Sequence, residues 1–274
     1  MLTAAQERIL TSWGVDDLIP VGGHRHVWWG TRGDESVVVK TGDVRARQRE
    51  AAALAAFGGG CARLVGSDPE TGTLVVERLL PGDDALPLSV HDDDAATRVL
   101  AGIADRLHAG AAIAELPALA EIGVAFDGRE DPRLPRAVRA RARAVFGELV
   151  VDQPNCVVLH GDLHHMNALR AGDDWRAIDP HGWIGDPAFE AAALLANPRG
   201  LVDGGDARGM DGTGLARRSR RRAQIYAEAR GLDIARVRAW GFVGCVIAEL
   251  WMLEDHDLVH GAPLAVAEAL MDDV

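Results

Sequence analysis

Residues Val157 to Glu190, VVLHGDLHHMNALRAGDDWRAIDPHGWIGDPAFE, constrain this chain more than any other stretch. The apolar run Val157-Val158-Leu159 reads as a short buried strand and runs into His160-Gly161-Asp162-Leu163-His164-His165-Met166-Asn167. A second apolar piece, Ala177-Ile178, ends at Asp179. Two strands joined by a tight turn at Gly172-Asp173-Asp174 would bring Asp162, Asn167 and Asp179 together. An aspartate in such a loop can orient an attacking hydroxyl or accept its proton. Asn167 and Asp179 offer hard oxygen donors of the kind that hold Mg²⁺ on nucleotide phosphates.

The spacing of Asp162 and Asn167 resembles the Asp-x-x-x-x-Asn of a kinase catalytic loop, with Asp179 as the following metal-binding aspartate. Upstream residues extend the pattern in the same order. Ser36-Val37-Val38-Val39-Lys40 is a β-branched run ending in a lysine, where kinases keep the lysine that contacts the phosphates. A lone lysine at a strand end is ordinarily a solvated edge residue. Glu50, in the helix opening at Arg49, is its candidate partner. Gly22 and Gly23, between short strand-like pieces, suit a hairpin whose backbone covers a ligand, although GxGxxG is absent. Thr73 to Leu79 reads as the second strand of a hairpin leading into Leu80-Pro81-Gly82, and backbone groups from Glu77 to Leu79 would meet an adenine. Pro81-Gly82 and Asp83-Asp84 mark a boundary between residues 1–80 and 81–274.

The chain of 274 residues can bury a sizeable core. Its formal net charge of -12 argues against general nucleic-acid binding, which needs a basic face, and is compatible with a cationic partner. Two Arg-rich stretches, Leu134 to Leu149 and Arg217 to Arg222, therefore read as solvated helix faces. Cys61, Cys156 and Cys245 are far apart and form no CxxC pair, so a reducing compartment is expected. Charges run through MLTAAQERILTSWGVDDL, which excludes a signal core. The apolar run Ala239 to Leu253 contains Glu249 and is too short to span a bilayer. The expected location is the cytoplasm.

The remaining chain is helical in pattern. Residues 1 to 18 read as an amphipathic helix capped by Gly14. Val90 to Ala112, Ile234 to Leu253 and Pro263 to Met271 carry helical periodicity. Asp186-Pro187 is an N-cap followed by proline. Residues 199 to 214, RGLVDGGDARGMDGTG, read as a mobile loop.

Together, VLHGDLHHMN, AIDPHGWIGDPAFEAAALLANP, VVVK, VERLLPG and RVRAWGFVGCVIAELWMLED resemble the aminoglycoside phosphotransferase superfamily. More narrowly, they resemble its streptomycin 6-phosphotransferase and hydroxyurea kinase group. The resemblance implies an α+β, bilobal, protein-kinase-like fold, with a small β-rich N-lobe, a larger helical C-lobe and ATP between them. It implies Asp162 as catalytic base or hydroxyl-orienting group, Asn167 and Asp179 as Mg²⁺ ligands, and Lys40 paired with Glu50 on the phosphates. His160 would pack and hydrogen-bond within the loop. A monomer acting on a nucleotide and a small cationic hydroxyl compound is expected.

Streptomycin carries two guanidinium groups and an amine, so its site calls for carboxylates and an aromatic face. Asp186, Glu249, Glu254 and Trp251 are the candidates, with Glu190, Asp255, Asp257 and Trp183 in the same segments. Glu249 stands out because it interrupts an apolar helix and would be costly if buried alone. Hydroxyurea or another small hydroxyl metabolite is an alternative acceptor. A different class of reading takes His160, Asp162, His164, His165 and His181 as a hydrolytic metal centre, but adjacent His164 and His165 do not readily face one ion. A non-catalytic nucleotide-binding module fits poorly with an intact Lys40, Asp162, Asn167 and Asp179.

Overall fold

The computed structural model describes residues 1–110, 115–153, 155–197 and 212–274. The chain forms the expected α+β arrangement, a β-rich N-terminal part followed by a mainly helical one. Helix α1 (Ala4–Ser12) opens on a reciprocal cap, in which Thr3 Oγ1 accepts from Gln6 N and Gln6 Oε1 accepts from Thr3 N. It is shorter than the sequence suggested. Gly14 takes φ +67 and ends it, and residues expected to be helical become strand β1 (Val15–Pro20).

Strands β2 (Val27–Arg32), β3 (Glu35–Lys40), β4 (Leu64–Asp68) and β5 (Thr73–Glu77) complete an antiparallel sheet in the order β1-β2-β3-β5-β4. The period-two alternation of β3 does two jobs. Val37 and Val39 are fully buried against Leu10, Val15, Trp28 and Val75, while Val38 and Lys40 share the opposite face and line a cavity. Helix α2 (Val44–Ala56) is capped by Asp43, which accepts from Ala46 N at 2.8 Å. Its alanines allow close approach on two sides: Ala51 packs beneath the sheet, and Ala53 and Ala56 meet Leu116 and Val158.

Strand β6 (Pro81–Asp84) leaves this sheet and pairs with β8 (Ala168–Ala171), which pairs with β9 (Asp174–Ala177). The hairpin expected around Gly172 therefore forms, but its first strand is 168–171. Strand β7 (Val157–Leu159) pairs instead with β10 (Trp183–Gly185). Both sheets converge on the loop between Leu159 and Ala168.

Helices α3 (Leu86–His91) and α4 (Asp93–His108), a 3₁₀ segment (Leu119–Asp127) and α5 (Arg136–Val151) precede that loop. A 3₁₀ turn (Pro187–Glu190), α6 (Ala191–Ala196), α7 (Gly212–Arg230), α8 (Ile234–His256) and α9 (Ala262–Met271) follow it. Helix α8 is the centre of the core: Trp240, Phe242, Val243, Val246 and Ile247 are all buried, as expected of a helix that is apolar all round. Gly244 lets α6 approach it, since a Cβ there would overlap that of Ala192.

The Arg-rich stretches are tied down within the protein. Arg139 donates to the carbonyls of Phe126, Gly128 and Arg129, and Arg221 and Arg222 pair with Asp94 and Asp93. Of the expected loop 199–214, residues 199–211 lie outside the described residues, and 212–214 already belong to α7. No helix among the described residues is long and apolar enough to cross a membrane.

Candidate active site

Gly161, at φ +80, turns the chain sharply after β7, and a Cβ there would come within 2.7 Å of Trp183 Cδ1. His160 is wholly buried and spans the two sheets. Its Nε2 lies 2.8 Å from the Ile178 carbonyl and its Nδ1 accepts from Asp162 N at 3.3 Å, so the ring is neutral with its proton on Nε2. Burial, working against the charges of Glu190 and Asp162, holds it below the ordinary histidine value. The sequence role for His160, a packing and hydrogen-bonding member of the loop, is what the geometry describes.

Asp162 is gripped from one side. Asn167 Nδ2 donates to its backbone carbonyl at 2.9 Å and to its Oδ2 at 3.2 Å, and His164 Nε2 stands 3.5 Å from Oδ2. His164 Nδ1 accepts from Met166 N, so the ring's proton is on Nε2, facing the carboxylate. Burial works against charge on Asp162, but the His164 hydrogen bond, and then the His164, His181 and His160 rings, hold its carboxyl below the usual range. It is poised as a base, not an acid.

Asp179 follows β9 in a left-handed conformation, φ +61, after Ile178 N has bonded to the Asn167 carbonyl at 3.0 Å. This backbone tie carries Asp179 to Lys40. The Lys40 ammonium bonds both Asp179 Oδ1 and, at 2.5 Å, Glu50 Oε1, and Glu50 is itself held by Arg47. Burial opposes charge on Lys40, but Glu50 and Asp179 outweigh it and raise the ammonium above its ordinary value. Lys40, in turn, lowers Asp179 against the effect of burial. Lysine and glutamate are nearly inaccessible, while the Asp179 side chain is half exposed.

These groups separate two cavities. The first, of about 380 Å³, lies under the sheet and is lined by Lys40, Glu50, Asp179, Glu77 and Leu79. Gly22 and Gly23 do not line it themselves; their neighbours Val21 and His24 do, and Gly23 has the positive φ, +82, that favours glycine. Glu77 Oε1 accepts from both Arg63 N and Arg176 Nη1. Sequence reasoning missed Trp29 and Arg78, which line this cavity with the Arg78 guanidinium 4.0 Å over the Trp29 ring. A half-exposed tryptophan on an alternating strand was the available signal.

The second cavity, of about 180 Å³, opens on the other side of Asp162. Small residues of α6 and α8 make the space, and His181, Asn197, Trp251 and Asp255 line it with Asp162. Of the four expected substrate residues only Trp251 lines this cavity. Glu254 is exposed and does not line it; its neighbour Asp255 does.

The expectation that Asp186 and Glu249 face a substrate is corrected by their burial. Asp186 is 2% exposed; it accepts from Ala188 N and from Trp240 Nε1 at 2.7 Å and pairs with Arg236. Glu249 is fully buried and accepts from the backbone of His260, Gly261 and Leu264, holding the start of α9. We expect Asp186→Asn to lower the free energy of unfolding by about 3 kcal/mol, since an arginine would lose its buried partner. Glu249→Gln should follow the same direction. Denaturant titration checks this, and an unchanged Michaelis constant for the acceptor should accompany it.

The histidines do not assemble into a hydrolytic centre. Both His160 nitrogens are engaged, and His165 turns away into the core. Its ring nitrogens have no partner among the described residues, and burial, followed by the charges of Arg222 and Arg218, depresses it to about 3. No group of three His, Cys, Asp or Glu side chains among the described residues is arranged to hold a metal.

Comparison with known proteins agrees with this geometry. The family described as aminoglycoside/hydroxyurea antibiotic resistance kinase matches residues 22–256. A streptomycin 6-kinase from Streptomyces griseus is 40% identical over 230 residues, covering 79% of this chain and 71% of that protein. A hydroxyurea phosphotransferase from Kitasatospora aureofaciens is 34% identical over 232 residues, covering 81% of this chain and 64% of that protein. In fold, the chain is similar to choline kinase LicA from Streptococcus pneumoniae, with TM-score 0.66, 15% identity and coverage of 98% and 96%. It is likewise similar to aminoglycoside phosphotransferase APH(4)-Ia solved with ADP and hygromycin B, with TM-score 0.68, 13% identity and coverage of 99% of both chains. With a protein-kinase-like fold and Lys40, Asp162, Asn167 and Asp179 around its central cleft, the chain belongs to the aminoglycoside/hydroxyurea antibiotic resistance kinase family.

Proposed function

We propose that the chain transfers the γ-phosphoryl group of ATP to a hydroxyl of streptomycin, at position 6, as a cytoplasmic enzyme with lobes at residues 1–80 and 81–274. One observation carries the reading: Asp179 lines the first cavity, Asp162 lines the second, and Asn167 and Ile178 tie the two loops together. Phosphate donor and acceptor can therefore meet across a single layer of side chains.

In the reaction, the nucleotide fills the first cavity beneath Gly22 and Gly23, with its base toward Glu77 to Leu79. Lys40 holds the phosphates, and its pairing with Glu50 keeps it aimed there. Asp162 orients the acceptor hydroxyl for in-line attack and receives its proton as the new P–O bond forms and the bond to the ADP oxygen breaks. The donor chemistry fits Mg²⁺: the half-exposed Asp179 carboxylate and the Asn167 amide oxygen are hard ligands, and Asn167 already spends its NH₂ on Asp162. When bound, Mg²⁺ would neutralise the charge developing on the phosphates.

The second cavity supplies what a guanidinium substrate needs, a carboxylate on Asp255 and an aromatic face on Trp251. Asp255→Asn should raise the Michaelis constant for streptomycin about tenfold and leave that for ATP unchanged. Equal constants in the two enzymes would remove Asp255 from the site. A second reading, a kinase of hydroxyurea or another small hydroxyl compound, is favoured by the cavity volume of about 180 Å³, below the roughly 300–1,000 Å³ common for ligand pockets. Coupled ATP-consumption assays with the two acceptors in parallel decide between them.

A further inference from the structure

Behind the catalytic loop, and touching neither cavity, runs a chain of buried polar groups that the reaction above does not use. It begins at Glu190, whose side chain is wholly buried at the end of the 3₁₀ turn. Glu190 Oε2 accepts from His160 N at 2.7 Å, and Oε1 accepts from Gly161 N at 2.8 Å. His108, the last residue of α4, brings Nε2 to within 3.2 Å of Oε2. Arg230, the last residue of α7, donates from Nη2 to His108 Nδ1 at 2.8 Å, and its other arm meets the exposed Asp105. The His108 and Arg230 side chains are 4% and 8% exposed.

Arginine has five donors and no acceptor, so His108 Nδ1 must be the accepting nitrogen. The ring's only proton is then on Nε2, directed at Glu190. A second proton on the ring would set N–H against N–H in a buried site. We propose that His108 is a positioning residue: locked by Arg230 into the neutral Nε2–H form, it fixes the Glu190 carboxylate that holds the peptide groups of His160 and Gly161, and so sets where Asp162 stands. Asp162 follows directly on those two peptides, and among the described residues the only bond its own N–H makes is the 3.3 Å contact to His160 Nδ1. Its location therefore depends on the clamp beneath it. Burial works against charge on Glu190, and the hydrogen bonds it accepts, from His108 first and then from Gly161 N, hold it below the usual carboxylate range, consistent with an ionised clamp. Helices α4 and α7 thereby report on catalytic geometry from a distance, a role that rests on Asp162 acting as the reacting loop's base.

The test compares two replacements of similar size. Gln can donate to Glu190 and accept from Arg230 at once, whereas Leu can do neither. His108→Gln should keep kcat within about threefold of the parent, and His108→Leu should lower it about tenfold or more, with the Michaelis constant for ATP little changed in both. Equal losses in the two variants, or no loss in the Leu variant, would overturn the role. Should the Leu variant fail to fold, ¹⁵N NMR of the histidine rings of the intact parent, assigned by the signal missing in His108→Gln, reads the tautomer directly. An Nε2–H form supports the proposal, and an Nδ1–H or doubly protonated ring at neutral pH refutes it. The spectrum needs no turnover, so it also separates failure of this inference from failure to identify the acceptor.

Discussion

Asp162→Asn is expected to lower turnover about a thousandfold while ATP binding persists. The substitution keeps the shape of the side chain and one oxygen, so the bond from Asn167 Nδ2 and the packing of the loop survive. What is lost is the negative charge that the surrounding histidines sustain in spite of burial, and with it the capacity to take a proton. Asp162 lines the second cavity and not the first, so nucleotide binding in the first is expected to be unaltered. Calorimetric titration with ATP alongside steady-state rates separates the two effects. Weakened nucleotide binding in step with turnover would show that Asp162 supports the nucleotide cleft instead.

Lys40→Met should lower kcat/KM by about two to three orders of magnitude, with the loss shared between nucleotide affinity and turnover. The ammonium sits between Glu50 and Asp179 and bonds both. Removing it leaves Glu50 to Arg47 alone and Asp179 without the cation it bonds. Glu50→Gln is the instructive comparison: the amide oxygen can still accept from Lys40, so a loss of only about tenfold is expected. The pair also sets a pH window. Asp179 is depressed below its ordinary value, so its pairing contributes stability above the usual carboxylate range, and that contribution disappears as pH falls through the lowered value. Lys40 is raised, so its share is intact at neutral pH and is lost only as pH rises through the raised value.

The residues proposed for phosphate transfer could be singled out in the sequence because each sits at the end of a strand or in a tight turn, where local pattern fixes direction. Lys40 ends an alternating strand, so its facing follows from Val38. Asp162 and Asn167 lie in one loop at a spacing that the turn at His165–Asn167 closes into a hydrogen bond. The residues proposed to face the acceptor were less legible, and the reason is helical geometry. Glu254 and Asp255 are adjacent in sequence, but one step around a helix turns a side chain by roughly 100°, so only one of them faces the cavity. Asp186 and Glu249 were misread because an acid among apolar residues signals either a ligand or an internal partner. The partners here come from outside the local pattern: Arg236 and Trp240 on a distant helix, and the chain from His260 to Leu264 returning to Glu249. The His108 to Glu190 chain had no local signature at all, since its members are the ends of separate elements brought together only by packing of α4 and α7.

The central claim, that this cleft joins ATP to the hydroxyl of a guanidinium-bearing acceptor, is tested most directly by mass measurement of streptomycin incubated with the purified chain, ATP and Mg²⁺. The account predicts a product heavier by one phosphoryl group, formed with one ADP per turnover and absent when Asp162→Asn replaces the parent. ATP consumed at the same rate with and without streptomycin, with the antibiotic's mass unchanged, would contradict it.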